Sequence, residues 1–171
     1  MRYMLLMQAD ESMMVGEAAG PPPAEIFEAM GRYNTALVDA GVLLAAEGLA
    51  PTADGFRLRF DDPEDPTVTD GPFTEAKEVV AGYWILEVAS PQEALTWARR
   101  CPLGGGVVLD VRRIAEMADF SDVASEEVLD AETTLRARIA EREAERSRVE
   151  GTEREAERSR VESTERAAES S

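Results

Sequence analysis

The stretch "VVAGYWILEV", residues 79–88, decides how the rest of the chain is read. It is rich in β-branched and aromatic side chains and bounded by turn formers, so it reads as the strongest strand in the sequence. Tyr83 and Trp84 are neighbours on it and therefore point to opposite faces. Directly after it, "SPQEALTWARRC" (90–101) offers Ser90 as an N-cap and Pro91 at the first helical position. "GGVVLDVRRI" (105–114) then reads as a closing strand. Strand, helix and strand follow one another here with little between them.

The same order appears upstream. "YMLLMQA" (3–9) reads as a strand. Within "PPPAEIFEAMGRYNTALVDAG" (21–41), Ile26, Met30, Tyr33 and Leu37 share one helical face, and Gly41 stands where a C-terminal cap belongs. Val42–Leu49 reads as a short strand. Between the two halves, "FRLRF" (56–60) alternates with the period of a half-buried strand, "DDPEDP" (61–66) is a turn, and "TVTD" (67–70) is a brief returning strand. The frame is βαββαβ with an inserted hairpin, which predicts a ferredoxin-like α+β fold with one antiparallel sheet and two helices on one face. The other face needs cover, and a second copy of the same sheet supplies it, so a homodimer is expected with a cleft between the opposed sheets.

Composition narrows the chemistry. The 171 residues include 18 basic and 35 acidic side chains, a formal net charge of −17. So acidic a chain repels phosphate backbones and anionic lipid, so neither nucleic acid nor a membrane is expected as a partner. There is no histidine, which excludes every Ser–His or Cys–His scheme within the chain, and the one cysteine, Cys101, excludes an internal disulfide. No metal and no cofactor are expected. The opening "MRYMLLMQADE" is too soon acidic for a secretion signal, and no apolar run reaches the roughly 20 residues of a membrane span, so the expected location is the cytoplasm.

Composition shifts near Phe120, giving an expected domain over 1–120 and a charged tail over 121–171. Residues 141–152, "EREAERSRVEGT", recur as 153–164 with eleven of twelve positions identical. Twelve residues advance a helix by about 1200°, so Val149 and Val161 do not share a stripe, and the repeat is not a coiled-coil heptad. Pairs such as Glu150 with Arg154 give a helix only ~0.2–0.5 kcal/mol each. A solvated, fraying helix or disorder is expected, with an arm for a partner protein as the alternative. Val128, Leu129, Leu135 and Ile139 offer apolar surface for one helix before the repeat.

The candidate site lies in "TDGPFTEAKE" (69–78). Gly71 is read as supplying backbone freedom, Pro72 as fixing φ at about −65°, and Phe73 as an aromatic anchor worth about 2 kcal/mol when buried. Asp70, held ahead of this turn, is either a turn-closing acceptor of backbone N–H groups or an acid/base in the cleft. Lys77 and Glu78 are close enough in sequence to bind substrate beside it, as is Phe73, and Asp10 stands at the end of the first strand. Glu47 lies either on an open face or buried with a partner, Cys101 reads as a small buried hydrophobe, and "LGGGVV" lacks the features of a phosphate loop.

"DGPFTEAKEVVAGYWILEV", with "SPQEALTWARRCP", "VVLDVRRIAEMADF", "YMLLMQADE" and "YNTALVDAGVLLAAEGLAP", closely resembles the YCII-related family, in its DGPF-motif branch, over about residues 1–120. The resemblance implies a dimeric α/β barrel of ferredoxin-like subunits with a cleft beside the motif's Asp. It implies a His–Asp pair as the active site of small members. The Asp matches Asp70; the His has no counterpart here. It also implies a regulatory setting, since members of the branch are often encoded near extracytoplasmic-function sigma factors. The expected function is a small-molecule-binding or regulatory homodimer with a cleft near the DGPF loop. The alternative is a small cytoplasmic isomerase, lyase or hydrolase using Asp70 as acid or base without histidine or metal.

Overall fold

The structure is a computed structural model that describes residues 1–10, 24–73, 78–142, 144–146 and 148. Among the described residues of 1–114, six strands and two helices run β1 (Arg2–Ala9), α1 (Ala24–Asp39), β2 (Leu43–Gly48), β3 (Phe56–Arg59), β4 (Thr67–Asp70), β5 (Val79–Glu87), α2 (Pro91–Ala98) and β6 (Val108–Arg113). Four strands form one sheet in the order β2-β5-β1-β6, every neighbouring pair antiparallel. With β3 and β4 set aside as a separate two-stranded sheet, this is the ferredoxin-like βαββαβ arrangement expected from the sequence.

Local chemistry sets the element ends. The Ser90 hydroxyl accepts the Glu93 N–H at 3.2 Å, and the Glu93 carboxylate accepts the Ala89 N–H at 2.8 Å, fixing the start of α2. At the end of α1, Gly41 takes φ +68°. Its N–H donates to the Val38 carbonyl at 2.8 Å while the Val42 N–H donates to Leu37 at 3.1 Å, a Schellman cap. Val42 and Leu37 then both enter the core, so the cap also aims the chain into β2.

The core lies between the helices and one face of the sheet. Tyr3 and Leu5 of β1 and Trp84 and Leu86 of β5 meet Tyr33 and Leu37 of α1 and Ala94 of α2. The polar tips in this core are satisfied. Trp84 Nε1 donates to the Asn34 side-chain carbonyl at 2.9 Å, and the Tyr33 hydroxyl donates to the Trp97 carbonyl at 3.2 Å. The Tyr33 and Trp84 rings meet edge to face, 6.1 Å between centroids. Cys101 packs half-buried against this cluster. On α1, Met30, Tyr33 and Leu37 reach the core, whereas Ile26 stays exposed.

The opposite face alternates with the core residues along β1 and β5. Register aligns Glu47, Tyr83, Leu6 and Asp110 across all four strands, and Ala45, Ile85, Met4 and Arg112 in the next row. Gln8 Nε2 donates to the Asp110 carboxylate on this face. Glu47 is exposed, which resolves its two readings in favour of the open face.

Ala115–Ser171 is assigned to a second unit of the chain, distinct from Met1–Ile114. Within it, Met117–Phe120 is a short 3-10 turn capped by the Asp119 carboxylate, which accepts the Glu116 N–H at 2.8 Å. Residues 126–142 are helical, and the helix exposes Val128, Leu135 and Ile139. Arg136 pairs with Glu132 at 3.0 Å. Most of the duplicated segment lies outside the described residues. Among the described residues, no helix is long and apolar enough to cross a membrane.

Candidate functional site

The site is built on the small hairpin. Its register pairs Phe56 with Asp70, Arg57 with Thr69, Leu58 with Val68 and Arg59 with Thr67. Because side chains alternate along a strand, Arg57, Arg59, Thr67 and Thr69 share one face, and Phe56, Leu58, Val68 and Asp70 share the other. The alternation of "FRLRF" is thus as expected, but its burial is not. All four residues of β3 are exposed, with Phe56 at 68%. The physical reason is topological: among the described residues β3 and β4 pair only with each other, so no third strand extends their sheet.

The turn after Asp70 doubles back on the segment before β3. The Gly71 N–H donates to the Gly55 carbonyl at 2.9 Å, and the Phe73 N–H donates to the Thr52 hydroxyl at 3.1 Å. The Gly71–Pro72 peptide is cis. Glycine at 71 is required for space rather than for an unusual φ. A Cβ there would lie 1.7 Å from the Thr52 carbonyl oxygen, whereas among the described residues the positive-φ glycines are Gly41 and Gly106. That replaces the backbone-freedom reading of Gly71. The anchor reading of Phe73 also changes: the ring is half-buried, with the Arg57 guanidinium carbon 4.2 Å from its centroid.

Between these parts is a cavity of about 330 Å³ lined by Arg57, Arg59, Asp61, Thr67, Thr69, Pro72 and Phe73. That volume lies at the lower end of the range for small-molecule sites, about 300–1,000 Å³. Two cations, Arg57 and Arg59, and one carboxylate, Asp61, are among its lining residues. Among the described residues neither Arg57 nor Arg59 is held in an ion pair.

The residues singled out in the sequence are dispersed. Phe73 is in the cavity wall. Asp70 is exposed on the reverse face of the hairpin, and its carboxylate makes no hydrogen bond among the described residues. Glu78 immediately precedes β5 and Asp10 immediately follows β1, and because Ala9 pairs with Val79 the two carboxyl side chains end neighbouring strands. Lys77 lies outside the described residues. Arg57, Arg59, Thr67 and Thr69 were not singled out beforehand. The signal was present in R-x-R opposite T-x-T, which a hairpin register converts into one polar face.

Two ionisable groups of the core are poor reagents. Burial pushes the Cys101 thiol up to about 11, and burial also raises the Tyr33 hydroxyl above its usual range. Cys101 is therefore a protonated thiol at neutral pH rather than a nucleophile. No group of three or more Asp, Glu or Cys side chains among the described residues is gathered to hold a metal.

Fold and site together define a ferredoxin-like α+β domain carrying a ligand-sized polar pocket on an inserted hairpin. The chain belongs to the YCII-related domain family, whose model matches residues 1–118. It is similar to a protein of Rhizobium meliloti (strain 1021) described as uncharacterized, 32% identical over 99 residues, which covers 58% of this chain and 78% of that one.

Proposed function

We propose that the protein is a small-molecule-binding, regulatory homodimer of the cytoplasm that takes its ligand at the turn formed by Asp70–Phe73. The observation that carries this reading is the 330 Å³ cavity, one wall of which is Pro72 and Phe73 of that turn. A turn pinned by two backbone-donated bonds and a close glycine contact is preorganised, and preorganisation lowers the cost of binding. Binding is favoured over turnover by the chemistry at hand: no histidine, and a thiol held protonated. The resemblance to the DGPF branch supports a regulatory setting for such a ligand.

The dimer reading is supported by the second sheet face, where Met4, Leu6, Tyr83 and Ile85 alternate with the buried core residues. A second copy of that face would bury these side chains at about 25 cal/mol per Å². Light scattering on the full chain tests it: a dimer at micromolar concentration is expected, and Leu6→Glu should yield a folded monomer. A wild-type monomer would remove the dimer from the proposal and leave the pocket.

A second reading has Asp70 as an acid or base. It is favoured by one observation, a carboxylate beside a rigid turn with no hydrogen-bond partner among the described residues and so free to meet a substrate. A panel of small esters, lactones and enolisable acids, assayed with wild type and Asp70→Asn, decides it. Turnover lost in the variant supports chemistry, and absence of turnover in the wild type leaves binding alone.

A further inference from the structure

We infer that the hairpin pocket is selective for a small organic anion, a carboxylate or phosphate ester carried on an apolar or aromatic body. The inference rests on the pocket being a ligand site and adds what enters it. In a chain of net charge −17, two guanidinium groups two residues apart on one strand face place positive charge together against the overall balance. Were they there to neutralise the acidic turn that follows, ion pairs with it would be expected. Among the described residues neither arginine makes one, and Asp61 is the single carboxylate of the lining. Among the described lining residues the balance is two positive charges against one negative.

Geometry selects the kind of anion. The Arg57 guanidinium lies over the Phe73 ring, its carbon 4.2 Å from the ring centroid, and its N–H groups are the fork of donors that matches planar oxyanions. Alternate positions on a strand are about 7 Å apart. One oxyanion between two arginines spans such a gap when each side donates bonds of about 2.8 Å. Thr67 and Thr69, cross-strand from Arg59 and Arg57, add hydroxyl donors on the same face. Pro72 and Phe73 supply an apolar wall that a bare inorganic ion would leave in contact with water, which is why an organic anion fits better.

The test uses the full chain in low salt with four probes: benzoate, phenyl phosphate, inorganic phosphate and benzamide. Amide and arginine Nε–H resonances of Arg57, Arg59, Thr67 and Thr69 are followed during titration, with affinity from calorimetry. Phenyl phosphate or benzoate should shift these resonances and bind at least tenfold more tightly than benzamide; the stronger of the two identifies phosphate or carboxylate as the preferred group. Arg59→Met, which keeps the side-chain stem and removes the charge, should weaken binding by about tenfold or more. Asp61→Asn should strengthen it and Thr69→Val should weaken it. Equal binding of benzamide, or no loss in Arg59→Met, overturns the anion inference while leaving the pocket as a ligand site. If none of the probes, nor any member of a neutral fragment set, moves the hairpin resonances, the pocket reading falls and the inference falls with it.

Discussion

The four-stranded sheet and the β3–β4 hairpin are written in the same alternating code and use it in opposite ways. In β1 and β5 every second side chain enters a core in which Leu5 and Leu86 are fully buried. In the hairpin the apolar positions Phe56, Leu58 and Val68 remain on the surface, and the polar alternates line a cavity. Alternation therefore tells which residues share a face. Whether that face is covered depends on a partner element, which period alone does not encode.

The largest expected effect separates these two regions. Leu86→Ala removes a fully buried side chain among Tyr3, Trp84 and Leu37 and should cost ~2–5 kcal/mol in urea unfolding. Leu58→Ala, the same change on the hairpin's exposed side, should stay within about 0.5 kcal/mol. Equal losses would mean that the hairpin's apolar side is packed in solution.

Much of the fold was legible because its signals are local. Ser90 and Pro91 open α2, Gly41 closes α1, and the strand at 79–88 falls in the middle of the sheet as its composition demands. The site was less legible. Asp70 and Phe73 are close in sequence yet serve opposite sides of the hairpin, while Arg57 joins Phe73 only after β3 and β4 have paired. The reason for Gly71 was likewise hidden, since the Thr52 carbonyl that needs the space comes from the other side of the hairpin.

Two glycines sharpen that point. Gly71→Ala places a methyl against backbone that no rotamer change can move, so it should cost ~1–3 kcal/mol and displace the Phe73 amide resonance. Gly31, in the interior of α1, has nothing within 4 Å of its would-be Cβ. Gly31→Ala should stabilise by ~0.5–1 kcal/mol through helix propensity. A shared sign for the two substitutions would contradict the space argument.

The core also has a pH signature. The Cys101 thiol titrates near 9.0 when unperturbed and near 11 when folded, because burial penalises the thiolate. A folded pKa raised above the unfolded one means stability that is intact below pH 9 and declines as pH rises toward 11. Tyr33 is shifted the same way by burial and steepens the alkaline side. Unfolding midpoints should therefore fall above pH 9, and Cys101→Ala should flatten the part of the fall that belongs to the thiol. Iodoacetamide should label the native thiol slowly at pH 8 and faster in denaturant, since the reactive species is the thiolate.

The smallest effect is expected at Asp70. Its carboxylate is exposed and without a hydrogen bond among the described residues, while the turn it precedes is closed by Gly55, Thr52 and the Gly71 and Phe73 amides. Asp70→Asn removes charge and nothing that the turn depends on, so stability should change by no more than about 0.5 kcal/mol. The Gly71 and Phe73 amide resonances should keep their protection from exchange. A loss of several kcal/mol, with those two amides exposed, would show that the aspartate ties the turn together. In that case the division of the hairpin into a ligand-lining face and a free face, on which the pocket reading depends, would have to be redrawn around Asp70.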